Sequence, residues 1–212
     1  AYLKSIIQTI EYFIVENEKS ARKNLSMFIG QDFSESRHYA VLDEHTSLES
    51  IPELLKPLQT GTTAGILSEA GLPCVADPGS ALIALAHKEN ITVVPHPGPS
   101  SLFMALSASG LNGQRFMFDG YIPIEHEQRN KRLKYLEQLS LKERMSIGFI
   151  ETPYRNQKLF DVIKAILRPE TQLCIASGLM TPDEFIATKP IKVWKQTNYS
   201  FSKTPAVFIL QA

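Results

Sequence analysis

The sequence predicts an α/β protein made of two α/β domains. Three observations lead there. Short apolar, β-branched runs alternate with amphipathic stretches along the chain, the pattern of a mainly parallel sheet covered on both faces. The 212 residues are enough to bury a good core. The alternation breaks at Ser109-Gly110-Leu111-Asn112-Gly113 and then resumes, which sets the expected domain boundary after Asn112: residues 1–112 form a mainly parallel domain and residues 113–212 a mixed-sheet one.

Taken in order, residues 1–9 read as a helix feeding a strand at 12–16, whose Tyr-Phe-Ile-Val run suits a buried strand. A helix over 20–28 leads to a strand at 39–42, and a helix over 48–58 to a strand at 63–67. A helix over 81–89, a strand at 91–94 and a helix over 101–107 close the first domain. The second begins with a strand at 116–121, a helix over 127–139, a strand at 145–151 and a helix over 156–167. Strands at 172–176, 184–187 and 206–210 follow, with a short helix over 191–196. No repeat, low-complexity tract or long linker interrupts this order.

The most informative segment is Ser68-Glu69-Ala70-Gly71-Leu72-Pro73-Cys74-Val75-Ala76-Asp77-Pro78-Gly79. It lies between a strand and a helix, at the carboxyl end of the strand, where open α/β sheets bind ligands. Its glycines permit positive φ and its prolines fix φ, so the loop is built for one rigid shape. A tight strand-to-helix connection is the plainer reading of the same residues.

Composition is permissive. Lys plus Arg equals Asp plus Glu at 22 each, so no overall field draws the molecule to a polyanion. The halves differ: 7 basic and 12 acidic residues lie up to Asn112, and 15 basic and 10 acidic from Gly113 on. A polyanionic substrate is therefore expected to meet the second half, unless the excess is spread over a solvated face. The two cysteines, Cys74 and Cys174, form neither a disulfide framework nor a zinc spacing, which fits a reducing cytoplasm. No apolar stretch reaches the roughly 18 to 20 residues that cross a bilayer, and the N-terminus lacks a signal-peptide pattern. The histidines have no ligand spacing, and no metal site is expected.

The loop at 68–79 resembles the S-x-A-G-x-P-x-x-x-D-P-G signature of the tetrapyrrole methylase superfamily, in the branch that 2'-O-methylates a cytidine of small-subunit ribosomal RNA. The similarity continues in register. Leu42-Asp43-Glu44-His45-Thr46 is similar to Y-H-E-H-N, Pro97-Gly98-Pro99-Ser100 to P-G-P-S, and residues 105–110 to A-L-S-A-S-G. Residues 115–123 resemble R-F-L-F-E-G-F-L-P, and residues 149–155 resemble F-Y-E-S-P-H-R. Several weak motifs in one fixed order are far more specific than any of them alone.

The resemblance implies a cofactor, S-adenosylmethionine, in a cleft between two α/β domains, a homodimer, and ribosomal RNA or the small ribosomal subunit as partner. By motif match, Ser68, Glu69, Ala70, Gly71 and Asp77 wall the cofactor, with Gly98, Pro99 and Ser100 opening a helix whose free amides favour an anion. Ala176, Thr204, Pro205 and Ala206 fall where the superfamily lines the adenine end. Glu44, His45 and Glu151 are the candidate catalytic groups; a lone histidine such as His45 is more often a structural hydrogen bonder, and Glu151 with Arg155 is equally an ion pair. Glu16, Lys19, Arg129, Arg132 and Arg155 are the candidate substrate contacts, the helix bearing Arg129 and Arg132 being alternatively an ordinary solvated face.

Three departures stand out. Glu16-Asn17-Glu18-Lys19 replaces E-D-T-R, and Lys supplies charge without the bidentate fork of Arg. Ala176-Ser177-Gly178-Leu179-Met180-Thr181 replaces A-R-E-L-T-K. Family members also begin with a strand and a Gly-containing loop ahead of the first helix read here, so residues upstream of this sequence are expected. The leading reading is an S-adenosylmethionine-dependent methyltransferase of a ribosomal RNA ribose 2'-hydroxyl. Methylation of a tetrapyrrole or other small molecule, and a non-catalytic cofactor- or RNA-binding member, are the alternatives.

Overall fold

A computed structural model describes residues 2–212 and divides them into two compact units, Ala1–Pro99 and Ser100–Ala212. In the first, the order is α1 (Tyr2–Thr9), β1 (Tyr12–Val15), α2 (Glu18–Phe28), α3 (Gln31–Glu35), β2 (His38–Val41), α4 (Ile51–Gln59, entered by a 3-10 turn), β3 (Ala64–Leu67) and α5 (Gly79–Lys88). The three strands are parallel in the order β2-β1-β3.

β1 has no polar residue because it is central and covered on both faces. Tyr12 and Ile14 join Leu42, Ile51, Leu55 and Leu82 on the α4 and α5 side. Phe13 and Val15 join Ala21 and Leu25 of α2 on the other. Period-2 side-chain alternation thus builds two cores from one four-residue run.

The second unit comprises α6 (Ser101–Ser109), β4 (Phe116–Tyr121), α7 (His126–Glu143), β5 (Ser146–Glu151), α8 (Asn156–Ile166), β6 (Gln172–Ser177), β7 (Phe185–Pro190), α9 (Ile191–Gln196) and β8 (Ala206–Gln211). Its sheet runs β4-β5-β8-β6-β7, with β4 and β5 parallel and the other neighbours antiparallel. β8 repeats the logic of β1. Val207 and Ile209 pack with Leu102, Ala105 and Leu106 of α6, while Phe208 and Leu210 face the larger core of Leu133, Leu136, Phe160 and Trp194. A Cβ on Gly148 would come within 2.8 Å of Leu102 Cδ1, so glycine lets α6 lie close on β5.

Two differences from the sequence reading concern the first unit. Residues 91–94 form no strand: Ile91 and Val93 are half-buried against the core and Thr92 and Val94 exposed, so the alternation is real, but no ladder partner lies beside it among the described residues. α3, only five residues long, was not expected, being too short to show a period. A third concerns the boundary, which falls between Pro99 and Ser100 rather than after Asn112, because α6 spends its apolar face on β6 and β8. α7 also runs four residues beyond the expected stop. It ends where Arg144 turns left-handed at φ +53, a stop with no glycine to announce it.

Phe160 and Trp194 are wholly buried and meet edge to face at 5.4 Å, and Trp194 Nε1 donates to Leu173 O at 2.8 Å. Phe160→Ala is expected to cost about 3–5 kcal/mol. Urea unfolding followed by the fluorescence of Trp194, the single tryptophan, measures it.

Candidate functional site

Parallel pairing brings the carboxyl ends of β1, β2 and β3 to one edge of the first sheet, and the loops leaving that edge carry most of the expected residues of this unit. Glu16 follows β1 and its Oε1 accepts the Glu69 amide at 2.9 Å. Ser20, in the first turn of α2, donates its hydroxyl to Glu69 Oε1. Asn17 caps α2 by accepting the Ser20 amide at 3.0 Å. The two carboxylates are thereby locked together without a cation. Beside them opens a cavity of about 320 Å³ lined by Val15, Leu25, Phe28, Glu16, Ser20 and Glu69 among others. Asn17 and Ser20 were not singled out as site residues; the Asn-x-x-Ser capping spacing was the available signal.

The loop from Ser68 to Gly79 is held from within. Ser68 Oγ donates to Gly71 O at 3.1 Å, and Gly71 takes φ +83. Cys74 and Ala76 also turn left-handed, at φ +68 and φ +60, each at a cost of order 1–3 kcal/mol. What holds them is Asp77, whose Oδ1 accepts the Cys74 amide at 2.6 Å and the Gly79 amide at 3.0 Å. The same carboxylate therefore closes the loop and caps the start of α5. A Cβ on Gly79 would lie 2.7 Å from Cys74 Sγ, so only glycine fits there. Burial and then the Asp77 charge push the Cys74 thiol up, which keeps it a packing group. The amides of Ala70, Gly71 and Ala76 find no protein acceptor among the described residues. Gly98 runs against this loop, a Cβ there meeting Leu72 Cδ2 at 3.3 Å, and Pro99 ends the unit.

Glu44 and His45 occupy an exposed turn after β2, 3.6 Å apart and outside the lining of the cavity beside Glu16 and Glu69. Their turn is built by Asp43, which accepts the His45 amide at 3.0 Å and the Thr46 hydroxyl at 2.9 Å. The Thr46 hydroxyl holds the Asp43 carboxyl below the usual range, so this turn is firm at neutral pH and loosens as pH falls through that lowered value. Lys19 is exposed on α2 and makes no ion pair among the described residues.

In the second unit Ser100 caps α6, accepting the Phe103 amide at 3.5 Å. Glu151 is buried at the end of β5, and one oxygen, Oε1, takes the Thr152 amide at 2.7 Å, Arg155 Nε at 2.9 Å and Arg155 Nη2 at 2.6 Å. That carboxylate raises the Arg155 guanidinium above its usual value and fixes its plane. Arg132 is held in the same way by the buried carboxylate of Asp119. Arg129 is only 6% exposed and donates to Ile124 O at 3.1 Å, a structural tie in place of the free cation expected there. Ala176 is wholly buried and paired on both sides within β6, with Ile186 and Val207. Thr204 O accepts Asn156 Nδ2 at 3.0 Å, Pro205 O accepts the Gly178 amide at 3.0 Å, and Ala206 starts β8. No group of three or more His, Cys, Asp or Glu side chains stands ready to hold a metal among the described residues.

A family profile described as "Tetrapyrrole (Corrin/Porphyrin) Methylases" matches residues 4–193. Among curated proteins, the chain is similar to "Ribosomal RNA small subunit methyltransferase I" of Mesorhizobium japonicum, 32% identical over 169 residues, covering 80% of this chain and 56% of that protein. The proteins of the same name from Buchnera aphidicola and Synechocystis sp. are 32% and 31% identical, each across 82% of this chain and 61% and 59% of theirs. The chain thus spans about three-fifths of the length of the curated relatives it matches. Among solved structures, the methyltransferase CobJ superposes with a TM-score of 0.58 at 15% identity, covering 95% of this chain and 94% of that one. Uroporphyrin-III-C-methyltransferase from Thermus thermophilus follows at 0.54 and 14% identity, covering 99% and 84%. At such identities the likeness shows the fold.

Gly79→Ala is expected to destabilise the protein by about 1–3 kcal/mol through the clash with Cys74 Sγ. Adding Cys74→Ala removes that atom and returns part of the loss. A double-mutant cycle from urea unfolding, followed by far-ultraviolet circular dichroism, measures the coupling, and strict additivity contradicts it.

Proposed function

The chain belongs to the tetrapyrrole (corrin/porphyrin) methylase family, and from that premise we propose that it is an S-adenosylmethionine-dependent methyltransferase acting on a ribose 2'-hydroxyl of small-subunit ribosomal RNA. The observation that carries the reading is the loop at 68–79. Its family-like residues stand at the carboxyl edge of a parallel sheet, locked by Asp77 and presenting unpartnered amides, in a chain whose relatives bear the name of a ribosomal RNA methyltransferase.

The residues present suit such a cofactor. The amides of Ala70, Gly71 and Ala76 offer donors on a preshaped backbone, and the Glu16 and Glu69 carboxylates offer acceptors for hydroxyl or amino hydrogens. When bound, S-adenosylmethionine supplies a methyl group on a cationic sulfonium. What remains for the protein is positioning and exclusion of water, which can be worth roughly 7 to 11 kcal/mol, against the 10² to 10⁴ in rate typical of a general base. Glu151 spends its Oε1 on three donors and suits the holding of Arg155 better than proton abstraction. Glu44 and His45 are the groups free to take the hydroxyl proton. A homodimer in the cytoplasm belongs to this reading, supported by the family and by two free cysteines.

The test is transfer of labelled methyl from S-adenosylmethionine to small ribosomal subunits lacking 2'-O-methylation, with the product identified by mass spectrometry of nucleosides. A 2'-O-methylated nucleoside is expected; labelled porphyrinogen with unlabelled RNA would replace this reading by the small-molecule one. Gly71→Ala, forced into φ +83, is expected to weaken S-adenosylmethionine binding about 10-fold by calorimetry, from the 1–2 kcal/mol that a left-handed backbone costs a side chain.

A further inference from the structure

The carboxyl ends of β4 and β5 and the start of antiparallel β8 meet at one edge of the second sheet, since Tyr121 pairs with Ile150 and Glu151 with Ala206. That edge carries an uncommon set of side chains. Tyr121, the last residue of β4, is 54% exposed, and Tyr154, three residues beyond β5, is 81% exposed. Large aromatic rings left in water at a strand edge contribute nothing to the core, whose aromatic members are Phe149, Phe160, Trp194 and Phe208.

Basic residues accompany these rings. Lys203 Nζ stands 5.9 Å from the centroid of the Tyr154 ring. Lys158 is exposed four residues after Tyr154, in the first turn of α8, and neither lysine makes an ion pair among the described residues. Arg155 follows Tyr154 in the chain, its guanidinium oriented by Glu151 and within electrostatic reach of the Tyr121 phenol. The first turn of α8 has neither a side-chain cap nor an acid, and of its residues Asn156 is buried while Gln157 and Lys158 reach the surface.

The arrangement is held in place. Asn156 Nδ2 donates to Thr204 O at 3.0 Å and the Phe201 amide donates to Gln157 Oε1 at 3.1 Å, so the segment bearing Lys203 is pinned on both sides to the start of α8. Of the exposed acids nearest in sequence, Glu125 and Glu127 lie on the turn leaving β4 and into α7, and Asp161 on α8 pairs with Lys164; Glu151 is buried and consumed by Arg155. The unit as a whole carries the chain's basic excess.

We propose that Tyr121 and Tyr154, with Lys203 and Lys158, form a platform for single-stranded RNA, the tyrosines stacking unpaired bases and the cations seating the intervening phosphates. Sequence-tolerant stacking beside a cationic track is how single strands are bound, and stacking on a ring needs a base free of its duplex, which favours unpaired nucleotides over a helix. The proposal deepens the reading of the acceptor as RNA and rests on it. It assigns recognition to residues outside the loop at 68–79.

The test is fluorescence anisotropy of the intact protein with a labelled single-stranded RNA of about twelve nucleotides, within the site sizes such platforms cover, over a salt series. Tyr154→Ala and Tyr121→Ala are each expected to weaken binding about 5- to 100-fold without changing the salt slope, with Tyr154→Phe and Tyr121→Phe retaining it. Lys203→Gln is expected to lower the slope of log K against log salt by about 0.7. S-adenosylmethionine binding, measured by calorimetry on the same variants, is expected to stay unchanged. Alanine variants that bind RNA as wild type does overturn the proposal, as does equal or tighter binding of duplex RNA. Loss of dimer on sedimentation of Tyr154→Ala with RNA affinity intact also overturns it, in favour of a surface between copies of the chain. Failure of methyl transfer alone removes the enzymatic reading and leaves this RNA measurement standing.

Discussion

One carboxylate oxygen organises the most distinctive part of this molecule. Asp77 Oδ1 accepts two main-chain amides, from Cys74 and Gly79, and so joins the loop after β3 to the first turn of α5. The loop needs such a tie because Cys74 and Ala76 hold left-handed backbone without being glycine. Two hydrogen bonds to a charged acceptor, each of about 1.5–3 kcal/mol, with the packing of Cys74 against Gly79, offset that strain. The outcome is a preshaped backbone whose Ala70, Gly71 and Ala76 amides have no protein partner among the described residues, and preshaping is what lets a methyl donor and acceptor be aligned without reorganisation.

The same economy recurs elsewhere. Glu69 is bound by Ser20 and Glu16 is bound by the Glu69 amide, so two acids at one edge are shaped by donors rather than neutralised by bases. In the second unit, Glu151 orients Arg155 and Asp119 orients Arg132. Buried Glu137 accepts the Arg168 amide at 2.8 Å and the Thr171 hydroxyl at 2.5 Å, tying α7 to the turn before β6. These carboxylates are fixed points, and removing Glu137 would leave the buried Thr171 hydroxyl unmet.

Much of this was legible in the residues. The Tyr-Phe-Ile-Val run of β1 and the Ala-Val-Phe-Ile-Leu run of β8 announce central strands, and each proves to be covered on both faces. Residues 91–94 carry the same local signal and form no strand, because a ladder is a property of two segments and the sequence of one shows nothing of its neighbour. α6 follows an N-cap serine visible in the sequence, yet its membership of the second unit rests on packing with Cys174, Ala176, Val207 and Ile209, some seventy or more residues away. In the sites, the fixed order of small-residue motifs pointed to the loops. Charge type alone gave no sign that Arg129 would turn inward to a carbonyl, or that Arg132 and Arg155 would each be gripped by a buried acid.

The central claim is that the edge built by the loop at 68–79 receives S-adenosylmethionine. Calorimetric titration of the protein with S-adenosylmethionine, and with its demethylated product, tests it most directly. Saturable binding of both ligands that is abolished or greatly weakened by Asp77→Ala in a still-folded protein is the predicted result. Absence of binding by either ligand, or binding indifferent to Asp77→Ala, contradicts the account.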